Sequence, residues 1–378
     1  DHFIKQREIP DDPLFSNMWH LNNTGQAVSY NGNSVGTPGS DIDAERAWDV
    51  TTGSSDVIIA ILDTGIDLDH QDLQSGLVGG YDFVNNDSNA NDGNMHGTAC
   101  ASIAAGRTNN LIGVSGVCWD CSLMPVKVLS DDGYGDFDDI VNGVIWASDN
   151  GAQVISMSLG GGGYVSSFNN AIDYAHNNGT IVISASGNDN SGSLSYPAAY
   201  NNSMAIGAMS PCNERKSPSS CDGENFWGSN YGNGLDLVAP GVRIHSATTG
   251  GSYINNMNGT SSACPHAAGV AGLIYSIAPG MPPSEVRFAM QINSVDIGSV
   301  GYDNQTGWGR LNAYNAVSNL AEQPDVSIDT DSFELEMSAN QSVIESFVIT
   351  NTLLGEADLE YTISESDYKW IDSNETGS

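Results

Sequence analysis

The chain reads as an α/β protein with a mostly parallel sheet covered by helices, followed by a partial β-sandwich segment. Three observations predict this. Between 57 and 291, apolar runs of strand length alternate with amphipathic stretches of helix length, the order that a parallel sheet with crossover helices requires. The 378-residue length favours one large core plus a smaller appendage. After Glu322-Gln323-Pro324 the pattern changes to short alternating segments separated by polar turns, the pattern of exposed antiparallel strands.

The apolar runs place strands at 57–62, 123–129, 154–157, 181–185, 204–208 and 235–238. Helices are expected at 96–105, 137–150, 165–177, 261–277 and 283–292. Further strands are expected at 333–337, 344–349 and 359–363, so the chain divides into domains at 1–322 and 323–378. The second is shorter than the roughly 100 residues of a complete immunoglobulin-like sandwich. Its 351–361 stretch, NTLLGEADLEY, resembles repeats in accessory domains of secreted bacterial enzymes.

Composition narrows the partners. With 46 acidic against 11 basic side chains the net charge is −35, which disfavours nucleic acid and anionic lipid and favours solubility and cation binding. No run of about 18 apolar residues is present to span a bilayer. The first residues, Asp1-His2-Phe3-Ile4-Lys5-Gln6-Arg7, lack the pattern of a signal peptide, so any targeting segment is expected to be removed already.

Cys118 and Cys121 are separated by two residues, and Cys212 and Cys221 bracket a polar loop. Both pairs are close enough to bridge. A Cys-x-x-Cys also serves redox chemistry or half a zinc site, but there is no second such pair and no neighbouring ligand set, so disulfides are favoured. Cys100 and Cys264, in small-residue helical segments, read as buried free thiols.

Three segments carry chemistry. Acyl transfer near neutral pH needs an activated hydroxyl, a base, a group orienting that base, and donors for the oxyanion. Asp63 ends the strand at 57–62, at the sheet edge where functional groups collect. His96 opens a helix of small residues that gives a general base a rigid support. Ser261 follows Asn258-Gly259-Thr260 near a helix start, where free N–H groups favour negative charge. Each alone has an ordinary explanation as a turn, surface or capping residue; their conjunction does not.

The segments Ala60-Ile61-Leu62-Asp63-Thr64-Gly65-Ile66, His96-Gly97-Thr98, and Gly259-Thr260-Ser261 with Ala263 and Pro265-His266 resemble the three signatures of the subtilisin family of serine proteases. The resemblance covers 12–317 and implies a three-layer α/β fold and a secreted serine endopeptidase with an Asp63, His96, Ser261 triad. It implies a monomer acting on protein or peptide substrates, with a removed N-terminal propeptide. Asn188, in Ser184-Ala185-Ser186-Gly187-Asn188, corresponds to the oxyanion side-chain donor, joined by the Ser261 backbone N–H. Gly133-Tyr134-Gly135 and Ser158-Leu159-Gly160 correspond to the edges that hold a peptide as an added strand. Phe137 corresponds to an apolar subsite and Ser195 to the floor of the primary specificity pocket. With no Asp or Glu evident there, large uncharged side chains are expected before the cut.

The resemblance also implies structural calcium, which takes six to eight oxygens. One loop offers Asp82, Asp87, Asn89 and Asn91, with Asn85 where a carboxylate is expected. Asp12, Asp72 and Asn109, with carbonyls near Arg107, Ile112 and Val114, correspond to a tighter site tying the N-terminal arm to the core. Met95, Ser262 and Cys264 depart from the common residues beside the motifs; Cys264 is a candidate for thiol-reagent sensitivity, and His266 is expected to be a packed helix residue. Two rivals remain: a sedolisin-like acid peptidase, against which His96 and Asn188 argue, and an inactive binding protein that uses the peptide groove alone.

Overall fold

The computed structural model describes residues 9–28, 36–321, 326–328 and 349–351. The chain divides into two units, Asp1–Ser318 and Asn319–Ser378. In the first, α1 (Ala44–Trp48), β1 (Ile58–Asp63), β2 (Tyr81–Asp82), α2 (His96–Ala105), β3 (Ser122–Lys127), α3 (Phe137–Asp149), β4 (Val154–Met157), α4 (Ser166–Asn177), β5 (Ile181–Ala185) and β6 (Ser203–Ser210) follow in order. Then come β7 (Glu214–Arg215), β8 (Leu237–Pro240), the pair β9 (Ile244–Thr248) and β10 (Ser252–Met257), and α5 (Thr260–Ile277), α6 (Pro283–Ile292) and α7 (Ala313–Ala321), the last continuing past the unit's end at Ser318.

The sheet order is β2-β3-β1-β4-β5-β6-β7, with β8 also paired to β6. All pairs are parallel except β6 with β7. Because the chain runs from β1 out to β3 and then crosses back to β4 on the other side of β1, the order reverses at β1. Such a reversal opens a crevice at the carboxyl ends of the strands, and Asp63 closes β1 there.

Alternation along β1 divides the core. Ala60 and Leu62 join Val126, Ile155 and Met157 against Ile140 and Val144 of α3 and Phe168 and Ile172 of α4. On the opposite face, Ile59 lies below Gly272 of α5, and α5 packs on α2. This second layer is built close: a Cβ at Gly269 would fall 2.8 Å from the Ala104 carbonyl, and one at Gly272 would fall 2.9 Å from Cys121 Sγ. Helices on both faces make the three layers that the sequence predicts. Of the eleven elements expected in this unit, all are present; β2, β7, the β9/β10 hairpin, α1 and α7 are additional.

Both expected disulfides, Cys118–Cys121 and Cys212–Cys221, are formed, and Cys100 and Cys264 are buried free thiols. Among the described residues no helix is long and apolar enough to cross a membrane. In the second unit, β11 (Val326–Ile328) and β12 (Ile349–Asn351) pair antiparallel. The strands expected at 333–337 and 359–363 lie outside the described residues, as does most of that at 344–349.

Candidate active site

The cleft begins at two helix mouths. Asp63 is fully buried, and its Oδ1 and Oδ2 lie 2.8 and 2.9 Å from His96 Nδ1. A carboxylate only accepts, so Nδ1 carries the proton and the neutral ring leaves Nε2 as a base. The Thr64 N–H also donates to Asp63 Oδ1, at 2.7 Å. Gly97, beside His96, has to be glycine for close approach, because a Cβ there would collide with the Gly65 carbonyl.

The start of α2 is held by a residue that the sequence reading did not single out. Asp92 is 3 % exposed and accepts from the N–H groups of Asn94, Met95 and Thr98 at 2.8, 3.0 and 3.0 Å. It also accepts from the Thr64 and Thr98 hydroxyls at 2.9 and 2.6 Å, while Thr64 Oγ1 accepts from the Gly97 N–H. Asp92 therefore takes one free N–H of the helix start, that of Thr98, and two of the turn leading into it, while Thr64, the residue after Asp63, takes that of Gly97. Its signal was present: a short acidic side chain four residues before an expected helix.

The second mouth is the start of α5. Gly259 has φ +117°, and a Cβ there would press on the Asn188 amide at 3.3 Å. Asn188 Oδ1 accepts from the Thr260 N–H and hydroxyl at 2.8 and 3.1 Å, which presents Nδ2 as its donor group. Pro265, inside the helix, has no N–H to give to the carbonyl four residues earlier, that of Ser261. Ser158 Oγ and Cys100 Sγ donate to it instead, at 2.8 and 3.5 Å. The Ser261 hydroxyl donates to the Ser158 carbonyl at 3.2 Å.

His96, Asn188 and Ser261 line one cleft of about 530 Å³. Gly133, Tyr134, Gly135 and Phe137 lie along one part of its wall, and Ser158, Leu159 and Gly160 along another. Ser195 lines an adjoining cavity of about 260 Å³ that also reaches Ser261. Asp189 lines this cavity too, a correction to the expectation that no carboxylate stands there; it is exposed, so the charge remains solvated.

Burial opposes a charge on His96, and the adjoining Asp63 carboxylate outweighs it, holding the imidazolium stable well above the ordinary pKa of 6.5. Cys100 Sγ lies 4.0 Å from His96 Nδ1, and burial raises the thiol's pKa, so it stays uncharged. The Cys264 sulfur, fully buried, faces the Ile183 carbonyl and Ser156, whereas Cys100 is the thiol beside the histidine. His266 is a packed helix residue as expected, fully buried, pushed down to about 4 by burial, with Nδ1 donating to the Ser262 carbonyl.

At the expected calcium positions, Asp12 and Asp72 are both buried. Asp12 accepts from the N–H groups of Asn109 and Asn110 and from the Ser115 hydroxyl; Asp72 accepts from Asn110 Nδ2 and the Val114 N–H. Burial raises the pKa of both, and their mutual repulsion raises that of Asp12 further. In the other loop, Asp82 holds Asn85 through both oxygens and Asp87 holds the Asn89 N–H. Asn91 Oδ1 accepts from the Leu68 N–H and lines a separate acidic depression with Asp67, Asp69 and Asp92.

A parallel sheet that ends β1 on a buried carboxylate bonded to His96, with His96 and Ser261 lining one cleft, matches a class, the serine endopeptidases. Within it, the chain belongs to the Subtilase family, whose model matches residues 54–309. The chain is 40% identical over 305 residues to a thermophilic serine proteinase of Bacillus sp. (strain AK1), covering 81% of this chain and 71% of that one. It is 42% identical over 278 residues to thermitase of Thermoactinomyces vulgaris, covering 73% and 93%. A solved structure described as proteases from Pseudoalteromonas arctica PAMC 21717 superposes with a TM-score of 0.70 at 31% identity, covering 82% of this chain and 99% of that chain.

Proposed function

We propose that the chain cleaves peptide bonds with Ser261 as nucleophile, His96 as general base and Asp63 as the group that orients and charge-balances the imidazole. The observation that carries this is the pair of 2.8 and 2.9 Å contacts from Asp63 to His96 Nδ1, in a cleft shared with Ser261. As Ser261 Oγ attacks the substrate carbonyl, its proton passes to His96 Nε2, and the buried carboxylate stabilises the imidazolium. The oxyanion is met by Asn188 Nδ2 and the Ser261 N–H; losing one such donor costs about 2.7 to 4 kcal/mol of transition-state stabilisation. The imidazolium gives its proton to the leaving amine, and water repeats the sequence on the acyl-enzyme.

The peptide lies as an added strand between the 133–135 and 158–160 edges. The side chain before the cut enters the cavity floored by Ser195, whose volume of about 260 Å³ suits a large uncharged group. A panel of chromogenic peptides is the test, with Phe expected to exceed Arg in kcat/KM; a marked preference for Arg would give the governing role to Asp189. Disulfides and a strongly acidic surface support a secreted enzyme.

Structural calcium is part of the same proposal. Two buried carboxylates whose pKa values are raised by desolvation, that of Asp12 also by repulsion from Asp72, form a donor set suited to a hard divalent cation. Asp12 and Asp72 would hold it with Asn109 and the carbonyls of Ile112 and Val114; Asp82, Asp87, Asn89 and Asn91 are the candidates for a weaker site. The ion would supply charge compensation that fixes the N-terminal arm. Chelation is expected to lower Tm, with calcium restoring it.

A further inference from the structure

We infer that Glu224 is a positioning residue for the nucleophile turn, mounted on the disulfide-closed loop between Cys212 and Cys221 and the residues that follow it. The inference rests on Ser261 being the nucleophile.

Glu224 is 1 % exposed. Its Oε2 accepts from Trp227 Nε1 at 2.9 Å and from Asn258 Nδ2 at 2.9 Å. The Arg243 guanidinium lies 3.6 Å from Oε1, and Asn258 Oδ1 accepts from the Arg243 N–H at 2.7 Å. Both ends of the Asn258 amide are thus fixed, at the residue that opens the turn Asn258-Gly259-Thr260-Ser261. The positive φ of Gly259 and its N–H bond to the Gly241 carbonyl pass that placement along the turn.

The carboxylate is itself anchored. Lys216 and Asp222 form a fully buried ion pair at 3.0 Å. Lys216 Nζ also donates to the Glu224 carbonyl at 2.5 Å, and the Glu224 N–H donates to Asp222 Oδ1 at 2.9 Å. Buried charges demand this satisfaction, which holds the loop to one geometry. The chain leaving the loop then joins the other side of the oxyanion site. Asn190 donates its N–H to the Gly228 carbonyl at 2.8 Å, and Asn230 Oδ1 accepts from the Asp189 and Ser191 N–H groups at 2.9 Å. One segment therefore sets both the turn bearing Ser261 and the turn bearing Asn188, whose donors have to meet a single oxygen.

Steady-state kinetics on a chromogenic peptide, with thermal unfolding alongside, test this in Glu224→Ala, Glu224→Gln, Asn258→Ala and the Glu224→Ala/Asn258→Ala double variant. A misplaced turn is expected to lower kcat about 10- to 100-fold in each alanine variant, with KM changed less than about threefold. Because the two side chains act through one joint, the double variant is expected to lie within about threefold of the worse single. Gln retains an acceptor where Oε2 stands and is expected to recover kcat to within about fivefold of the parent. Unchanged kcat in Glu224→Ala, losses that multiply in the double variant, or no recovery with Gln would each overturn the inference. Should Glu224→Ala not fold, Asn258→Ala reads the same joint from the other side, and unchanged kcat there overturns it. Hydrolysis that persists in Ser261→Ala sinks the nucleophile assignment itself, a different result from a Glu224 variant that is simply indifferent.

Discussion

The two helix mouths of the cleft resemble each other in sequence and differ in how they are held. Each is a turn entering a small-residue helix, His96-Gly97-Thr98 in one and Gly259-Thr260-Ser261 in the other. The start of α2 is held by the Asp92 carboxylate, four residues before the histidine, and by the Thr64 hydroxyl that Asp92 itself holds. The start of α5 is held by Asn188, Ser158, Cys100 and, through Asn258, Glu224, all distant along the chain. A general base needs a fixed ring, which a local cap provides. A nucleophile has to be placed against the oxyanion donors and the peptide-binding edge together, which requires contacts from the segments carrying them.

Breaking either mouth at its reactive residue should have the largest effect. Ser261→Ala and His96→Ala are each expected to lower kcat about 10⁶-fold, with the double variant little worse, because the two act as a unit. Multiplying losses in rapid-quench or steady-state assays would separate them. Asp63→Asn, which favours the wrong tautomer, is expected to lower kcat about 10⁴-fold.

The mouths should also differ in stability. Asp92→Ala leaves three backbone N–H groups and two hydroxyls without their acceptor and is expected to cost about 3 kcal/mol or more in urea unfolding. A cost near that of an exposed substitution would show that α2 does not depend on its cap.

The pH dependence sharpens the base side. With the His96 pKa raised by Asp63, kcat/KM is expected to rise with pH and inflect above the 6.5 of an ordinary imidazole, because only the neutral ring takes the Ser261 proton. The inflection should move down in Asp63→Asn. The linked stability runs the other way: the pairing stabilises the fold fully below the unfolded-state pKa and loses this contribution as pH rises through the raised folded pKa. An inflection well below 6.5 would contradict the charge balance described for the pair.

What could be read from the sequence follows the same division. The strands at 154–157 and 181–185 and the helices at 96–105 and 283–292 coincide with the structure, because the buried strands and α2 leave continuous apolar or small-residue runs and the one-sided burial of α6 leaves a helical period. The β9/β10 hairpin left little sequence record because β10 flanks Tyr253 and Ile254 with Ser252, Asn255 and Asn256 and is exposed or half-exposed over 252–256. Asp63, His96, Asn188 and Ser261 were legible through motif resemblance. Asp92 lies just past the Asn/Asp-rich stretch considered for cation binding, which ends at Asn91, although its spacing to the helix marks it. Glu224, Asn230 and the Pro265-freed Ser261 carbonyl left no local signal, since their partners lie far away in the chain.

The account is tested most directly by mapping the site labelled by a serine-directed fluorophosphonate with peptide mass spectrometry, in the parent and in His96→Ala. It predicts a single adduct, on Ser261, forming much more slowly once the imidazole is gone. Labelling at another serine, or at Ser261 with a rate indifferent to His96, would contradict it.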